Sequence, residues 1–235
     1  MISYKPGIDI QNINAPLSLK DYQLIAFDMD STLIDMETID EIATAVDKKE
    51  EVAAITKAAM RGEITDYKES LRLRIALLKG VPVSALEQVQ NQRMRLNPGA
   101  QALVQTAQQC GLKTMLVSGG FTFYTDKLKE QLKLDFTRAN VLDIHDGKLT
   151  GHLIDQDWGD ICDGEQKKNT LKTFSLHHNI PLNTTIAMGD GANDLPMMRT
   201  AGLSVAYHAK PIVRQQAHIA INEGGLDRLL EVVLP

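Results

Sequence analysis

Asp28-Met29-Asp30-Ser31-Thr32 sets two carboxylates two positions apart, directly after the apolar run Tyr22-Gln23-Leu24-Ile25-Ala26-Phe27. In a loop at a strand end both side chains can face one site, which suits nucleophile or acid–base chemistry. A calcium loop beginning at Asp28 would need Gly sixth and Glu twelfth, where Leu33 and Ile39 stand. The remaining alternative is a helix cap at Asp30 or Ser31, and the pair alone does not decide between cap and catalyst. A second acidic loop, Gly189-Asp190-Gly191-Ala192-Asn193-Asp194, has glycines that let the backbone approach a ligand. Asp190 and Asp194 are carboxylates suited to a hard cation such as magnesium. Its last position is Asp where a dinucleotide fingerprint has Gly or Ala, so no Rossmann cofactor is expected; a glycine turn with an Asp cap is the alternative. Between the two loops, Ser118-Gly119-Gly120 offers a hydroxyl and unobstructed N–H groups ahead of a helix, a cradle for phosphate. Leu116 stands where a nucleophile elbow needs Gly, and a plain strand-to-helix turn competes with the cradle.

The elements that must position these loops are short apolar runs alternating with helical periodicity. Tyr22 to Phe27, Thr114 to Val117 and Thr185 to Met188 read as buried parallel strands. Helical spacing follows each: Ile39, Ile42, Ala43 and Val46; Leu128 and Leu132; Leu195 and Met198. The alternation predicts a doubly wound α/β sheet whose ligands bind beyond the carboxyl ends of the strands, where the three loops converge. From about Lys48 to Arg95 the pattern is helical only, with Val52, Ile55 and Ala59 on one face and Leu71, Ile75 and Leu78 on another. This predicts an inserted helical cap, closed by Asn97-Pro98-Gly99. Asp146-Gly147 predicts a hairpin turn, and Leu203–Ala206 and Ile219–Ile221 supply further strands.

Composition narrows the function classes. Among 235 residues, 25 Lys plus Arg face 30 Asp plus Glu, a formal net charge of -5, so no global basic field draws nucleic acid or anionic lipid. Cys110 and Cys162 have no Cys or His partner at metal spacing. The first twenty residues, with Lys5, Pro6, Asp9 and Lys20, lack the apolar segment of a secretory signal, and no run reaches about 18 apolar residues. A soluble cytoplasmic protein that binds neither nucleic acid nor membrane is expected; oligomeric state is left open.

The succession of acidic pair, serine loop, a helix bearing Lys167 and Lys168, and glycine-flanked acid resembles the haloacid dehalogenase superfamily of aspartate-nucleophile phosphatases. The residues carrying the likeness are Phe27-Asp28-Met29-Asp30-Ser31-Thr32-Leu33, Glu37-Thr38-Ile39-Asp40-Glu41, Ser70-Leu71-Arg72-Leu73-Arg74, Val117-Ser118-Gly119-Gly120-Phe121 and Gly189 to Asp194. They are most similar to its phosphoserine-hydrolysing members, from about Leu24 to Leu230. The resemblance implies a Rossmann-like, mainly parallel core at 21–47 and 96–235, a helical cap at 48–95 and an N-terminal arm at 1–20. It implies magnesium-dependent hydrolysis of O-phosphoserine through an aspartyl-phosphate, giving serine and phosphate in the last step of serine biosynthesis. Asp28 would be the nucleophile and Asp30 the acid and base, with Asp28, Asp190 and the Asp30 main-chain carbonyl holding Mg2+. Ser118, the Gly119 N–H, Lys167 and Asn193 would bind the phosphate, Lys167 being preferred to Lys168 by motif alignment. Glu37 and Arg74 would take the substrate's ammonium and carboxylate, with Met60 and Tyr67 enclosing the pocket. The rival readings are the same chemistry on another small phosphomonoester and a phospho-accepting receiver module; the latter explains neither the helical insert nor the acid two residues after Asp28. The sequence departs from the family pattern at Gly62 to Tyr67, one residue longer and with Tyr67 where Phe is common, so cap closure is expected to differ in detail. About twenty residues precede the first predicted strand, where some members carry a regulatory domain, so feedback by serine through such a domain is not expected.

Overall fold

Strands that are apolar on both sides can be hidden only by covering both faces of their sheet, and this chain does so with helices. The computed structural model describes residues 1–235 apart from Gly62 and the Met60 side chain. In chain order, β1 (Ile2–Lys5), β2 (Ile8–Ile10), β3 (Leu17–Ser18) and β4 (Leu24–Phe27) lead to α1 (Thr38–Ala45), α2 (Lys49–Met60), α3 (Tyr67–Leu77), α4 (Val83–Gln92) and α5 (Ala100–Gln109). There follow β5 (Lys113–Phe121), α6 (Thr122–Leu132), β6 (Phe136–His145), β7 (Lys148–Ile154), α7 (Gly164–His177) and β8 (Thr185–Gly189). The chain ends with α8 (Leu195–Met198), β9 (Leu203–Tyr207), α9 (Pro211–Arg214), β10 (Ile219–Ile221) and β11 (Val233–Leu234).

Nine strands form one sheet in the order β1-β2-β10-β9-β8-β4-β5-β6-β7. Pairing is parallel from β10 to β6, while β2 and β7 run antiparallel to their neighbours. Alternate residues of β4 enter opposite cores: Ile25 and Phe27 join one apolar cluster, Leu24 and Ala26 the other, with Leu171, Phe174, Met197 and Met198 from α7 and α8. Phe27 pairs with Leu116 on β5 and with Met188 on β8. The loops after these three strands therefore open at one edge, where the chain order reverses around β4.

Helices α2 to α4 are an insert between α1 and α5. Val52, Leu71, Ile75 and Leu78 are buried, whereas Ile55 and Ala59 are half-buried. The insert leans on the β6–β7 hairpin through Gly80 N–H to the Leu149 carbonyl (2.8 Å) and Val83 N–H to the Gly147 carbonyl (2.9 Å). The hairpin turns at Asp146 and Gly147 with φ of 47° and 72°, the pair of positive angles a tight two-residue turn requires. Asn97 ties the insert's exit to the core, its Nδ2 donating to the carbonyls of Thr32 (2.8 Å) and Ile34 (3.0 Å).

The first twenty residues, expected as an arm, are instead built into the structure. Ile8 and Ile10 are buried, and β2 closes the edge that β10 would otherwise expose, with β1 folded back on it. Among the described residues no helix is long and apolar enough to cross a membrane.

Candidate active site

After β4 the chain makes one wide turn, Met29 to Leu33, closed by Ile34 N–H on the Met29 carbonyl at 3.1 Å. Ser31 adopts a left-handed conformation there (φ 55°), held by its N–H on the Met36 carbonyl (3.1 Å) and its Oγ donating to Glu37 Oε1 (2.7 Å). This turn carries Asp28 and Asp30 away from the sheet and into the space that β5 and β8 flank. Asp28 Oδ1 accepts the Met29 N–H at 2.7 Å and lies 2.7 Å from Lys167 Nζ. Lys167 comes from α7, whose start is capped by Asp163 Oδ1 accepting the Gln166 N–H at 2.9 Å. The ammonium is fully buried and also donates to Asp194 Oδ1 at 2.6 Å. Asp194 Oδ2 in turn accepts the N–H groups of Asp190 (3.2 Å) and Gly191 (3.0 Å), fixing the second acidic loop.

Carboxylate oxygens of Asp28, Asp190 and Asp194 lie within 4.8 Å of one another. Three acids converge on the Lys167 ammonium, with Lys210 beside Asp190, so negative charge is in excess there. Hard oxygen donors with that charge fit a divalent cation. The same imbalance is visible in the acids themselves. Burial, then Asp194 and Glu37, push Asp190 up to about 7. Burial, reinforced by Asp194 and opposed by Lys167, raises Asp28 well above the usual carboxylate range. Burial also works against the charge of Lys167, but Asp194 and Asp28 outweigh it and hold the ammonium protonated. The Asp30 side chain is not part of the cluster. Its Oδ2 accepts the Thr38 hydroxyl at 3.0 Å, and its buried Oδ1 has no partner among the described residues. Burial first and Glu37 second raise its pKa, which favours the protonated form that an acid needs.

Ser118 is buried and its Oγ accepts the Gly120 N–H at 2.8 Å. A side chain at Gly120 would lie 2.6 Å from Met29 Cε and 3.2 Å from Asp30 Oδ2, so the serine loop sits closely against the acidic turn. A side chain at Gly119 would overlap the Tyr67 hydroxyl, which places the first residue of α3 directly over the cradle. Burial raises the Tyr67 pKa, so the hydroxyl keeps its proton. Asp28, Asp30, Glu37, Tyr67, Arg74, Ser118, Gly119, Asp190 and Asn193 all line one cleft of about 820 Å³ between the insert and the sheet edge. Lys167 lies behind Asp28, and Lys168 pairs instead with Glu165 at 2.9 Å, at the surface. Glu37 starts α1 on one wall; Arg74 stands on α3 across the cleft, its Nε donating to the Ser70 carbonyl at 3.3 Å. The expectation for the Met60 side chain lies outside the described residues. A hollow of about 490 Å³ elsewhere, lined by Gln101, Gln105, Gln108 and neighbours, contains no acid.

Three features of the site went unread in the sequence. Lys210 lines the cleft beside Asp190, whose carbonyl accepts its N–H at 3.1 Å. Asp160 bridges insert and core, bound to Lys68 at 2.6 Å and Arg72 at 2.5 Å; the Lys68 bond leads in holding it down to about 2. Asn140 reaches the serine loop from β6. The first two are lone charges far apart in sequence and gave no signal; an Asn inside a strand is unusual and could have been noticed.

The sequence profile of the haloacid dehalogenase-like hydrolases matches residues 25–199. A phosphoserine phosphatase of Polaromonas is 62% identical over 228 residues, spanning 97% of each chain. One of Albidiferax ferrireducens is 58% identical over 230 residues, 98% of this chain and 97% of that one. Among solved structures, a phosphoserine phosphatase captured as a phospho-aspartyl intermediate analogue superposes with a TM-score of 0.82 at 40% identity, covering 90% of this chain and 99% of the other.

Proposed function

Because the chain belongs to the haloacid dehalogenase-like hydrolases, we propose that it uses magnesium to hydrolyse O-phosphoserine to serine and phosphate, the closing step of serine biosynthesis. The observation that carries the chemistry is Asp28 at the head of β4, bonded to buried Lys167 and clustered with Asp190 and Asp194. Oδ1 of Asp28 is engaged by the Met29 N–H and Lys167, which leaves Oδ2 to attack phosphorus. Its bond to phosphorus forms as the bond to the serine oxygen breaks, and Asp30 gives that oxygen its proton. Water then attacks phosphorus, the P–O bond to Asp28 breaks and returns its carboxylate, and Asp30 takes a proton from the water. A magnesium ion bound by Asp28, Asp190 and the Asp30 carbonyl would shield the phosphate dianion from the attacking carboxylate. Asp194 holds Lys167 and the Asp190 loop in place. Ser118, the Gly119 N–H, Lys167 and Asn193 hold the phosphoryl oxygens.

The substrate's own charges select the two walls of the cleft. Glu37 takes the ammonium and Arg74 the carboxylate, the latter in a fork geometry that suits it. Residues 48–95 act as the cap, with Tyr67 over the bound ester and Asp160 tying the insert to the core. The cytoplasm is the setting that this biosynthetic step implies. Phosphate release from phosphoserine, phosphothreonine, phosphoethanolamine and p-nitrophenyl phosphate, each with magnesium, tests the reading. Phosphoserine should give the highest kcat/KM; a tenfold or greater preference for another ester rejects it.

A further inference from the structure

Pairing of β5 with β6 stops at Val117–Arg138 and resumes at Phe121–Asn140. Ser118, Gly119 and Gly120 therefore stand opposite Ala139 alone, and the bulged backbone loses its ladder partners. Asn140 supplies one of them from its side chain. It is 1% exposed; its Nδ2 donates to the Gly119 carbonyl at 2.7 Å and its Oδ1 accepts the Cys162 N–H at 2.7 Å. The second bond fixes which way the amide faces. An N–H needs an acceptor, so the oxygen points to Cys162 and the NH2 group to Gly119.

The Gly119 carbonyl and the Gly120 N–H belong to one planar trans peptide and point in opposite directions. Holding that carbonyl on Asn140 aims the Gly120 N–H at Ser118 Oγ, 2.8 Å away. With the serine oxygen accepting there, its own proton is left for the cleft. We propose that Asn140 is a positioning residue for phosphoryl transfer: it locks the Gly119–Gly120 peptide so that the Ser118 hydroxyl donates to a phosphoryl oxygen. Asn140 touches no substrate itself. The proposal rests on the hydrolase reading above but not on which alcohol leaves.

Two variants test it, assayed on whichever monoester the wild type turns over fastest. Asn140→Asp keeps the size and the acceptor for Cys162, but donates to the Gly119 carbonyl only when protonated. Its kcat relative to wild type should be down at least about tenfold at alkaline pH and recover as pH falls. Asp28, Asp30 and Asp190 titrate in both proteins and the new carboxylate shifts them, so the uncharged Asn140→Ala comparison is the control for that shift. Cys162 beside it is pushed to about 12 by burial and stays neutral throughout, and Arg138, two residues back on β6, is engaged by Thr170 at 3.0 Å. Asn140→Ala, which brings no charge into the strand, is combined with Ser118→Ala. It should cost at least about tenfold in kcat when Ser118 is present and under about threefold when it is absent. A flat pH ratio, or equal costs in both backgrounds, overturns the proposal and leaves Asn140 a structural link only. A wild type inactive on phosphoserine but active on another ester would defeat the substrate reading while leaving both Asn140 comparisons intact.

Discussion

Lys167→Met removes the buried ammonium that bonds Asp28 and Asp194 while keeping the side chain's length. Nζ lies 2.7 Å from Asp28 and 2.6 Å from Asp194, with no exposed surface. At an effective dielectric of about 20, each contact contributes roughly 6 kcal/mol of Coulomb attraction. Desolvating the three charged groups offsets most of that, and removing one partner of a buried ion pair has a net cost of about 3–5 kcal/mol. The variant should lose that much at pH 8 in chelator, read by urea denaturation. Without the ammonium, the folded-state pKa of Asp28, already raised by burial, rises further above its unfolded value. Stability held through such groups is fully present below the unfolded pKa, near 4, and is lost as pH rises through the raised one. The deficit should therefore shrink at pH 5. Magnesium should shrink it too, since a site with one fewer positive charge binds the ion more tightly and gains more from it. A deficit under about 1 kcal/mol at pH 8 in chelator, or one unchanged at pH 5, would refute the argument that Lys167 holds the cluster together.

Asp30→Asn should lower kcat on phosphoserine by about 10²- to 10⁴-fold, while p-nitrophenyl phosphate, whose leaving group needs no proton, loses less in the phosphorylation step measured by rapid quench. Arg74→Ala should cost roughly 2–5 kcal/mol in kcat/KM toward phosphoserine and far less toward phosphoethanolamine, which lacks the carboxylate; equal losses would move Arg74 to the phosphate or to cap folding. Asp190, pushed up to about 7, must shed its proton to bind metal. Calorimetric titration of magnesium should accordingly show affinity falling as pH drops below 7, by up to about tenfold per pH unit, and levelling off above it.

The sequence made the sheet's centre legible because β4, β5 and β8 are apolar on both faces and end on acids, serine or glycine. Their common edge, and hence the meeting of Asp28, Ser118 and Asp190, followed from the strand–helix alternation alone. The strand β5 runs on to Phe121, past its expected end at Val117, because it re-pairs at Asn140 after the bulge. That repair depends on a side chain from another strand, which no periodicity reveals. β1 and β2 were unreadable for a related reason: three- or four-residue strands carry too little pattern, and only the open edge of β10 gives them a place. In the site, residue types pointed to Asp28, Asp30, Asp190 and Asp194, while the bond of Asp194 to Lys167 and the support by Asp160 and Asn140 came only with distances between segments remote in sequence. Periodicity put Ile55 and Ala59 on the same face as Val52; both are half-buried, and Ala59 lines the cleft.

The central claim is that Asp28 carries the phosphoryl group between substrate and water. Acid quenching of the enzyme during turnover of radiolabelled phosphoserine, followed by peptide mapping, tests it most directly. The account predicts label on the peptide containing Asp28, absent in Asp28→Asn, and removable by hydroxylamine as an acyl phosphate is. Turnover with no trapped label in any quench, or label on a different residue, would contradict it.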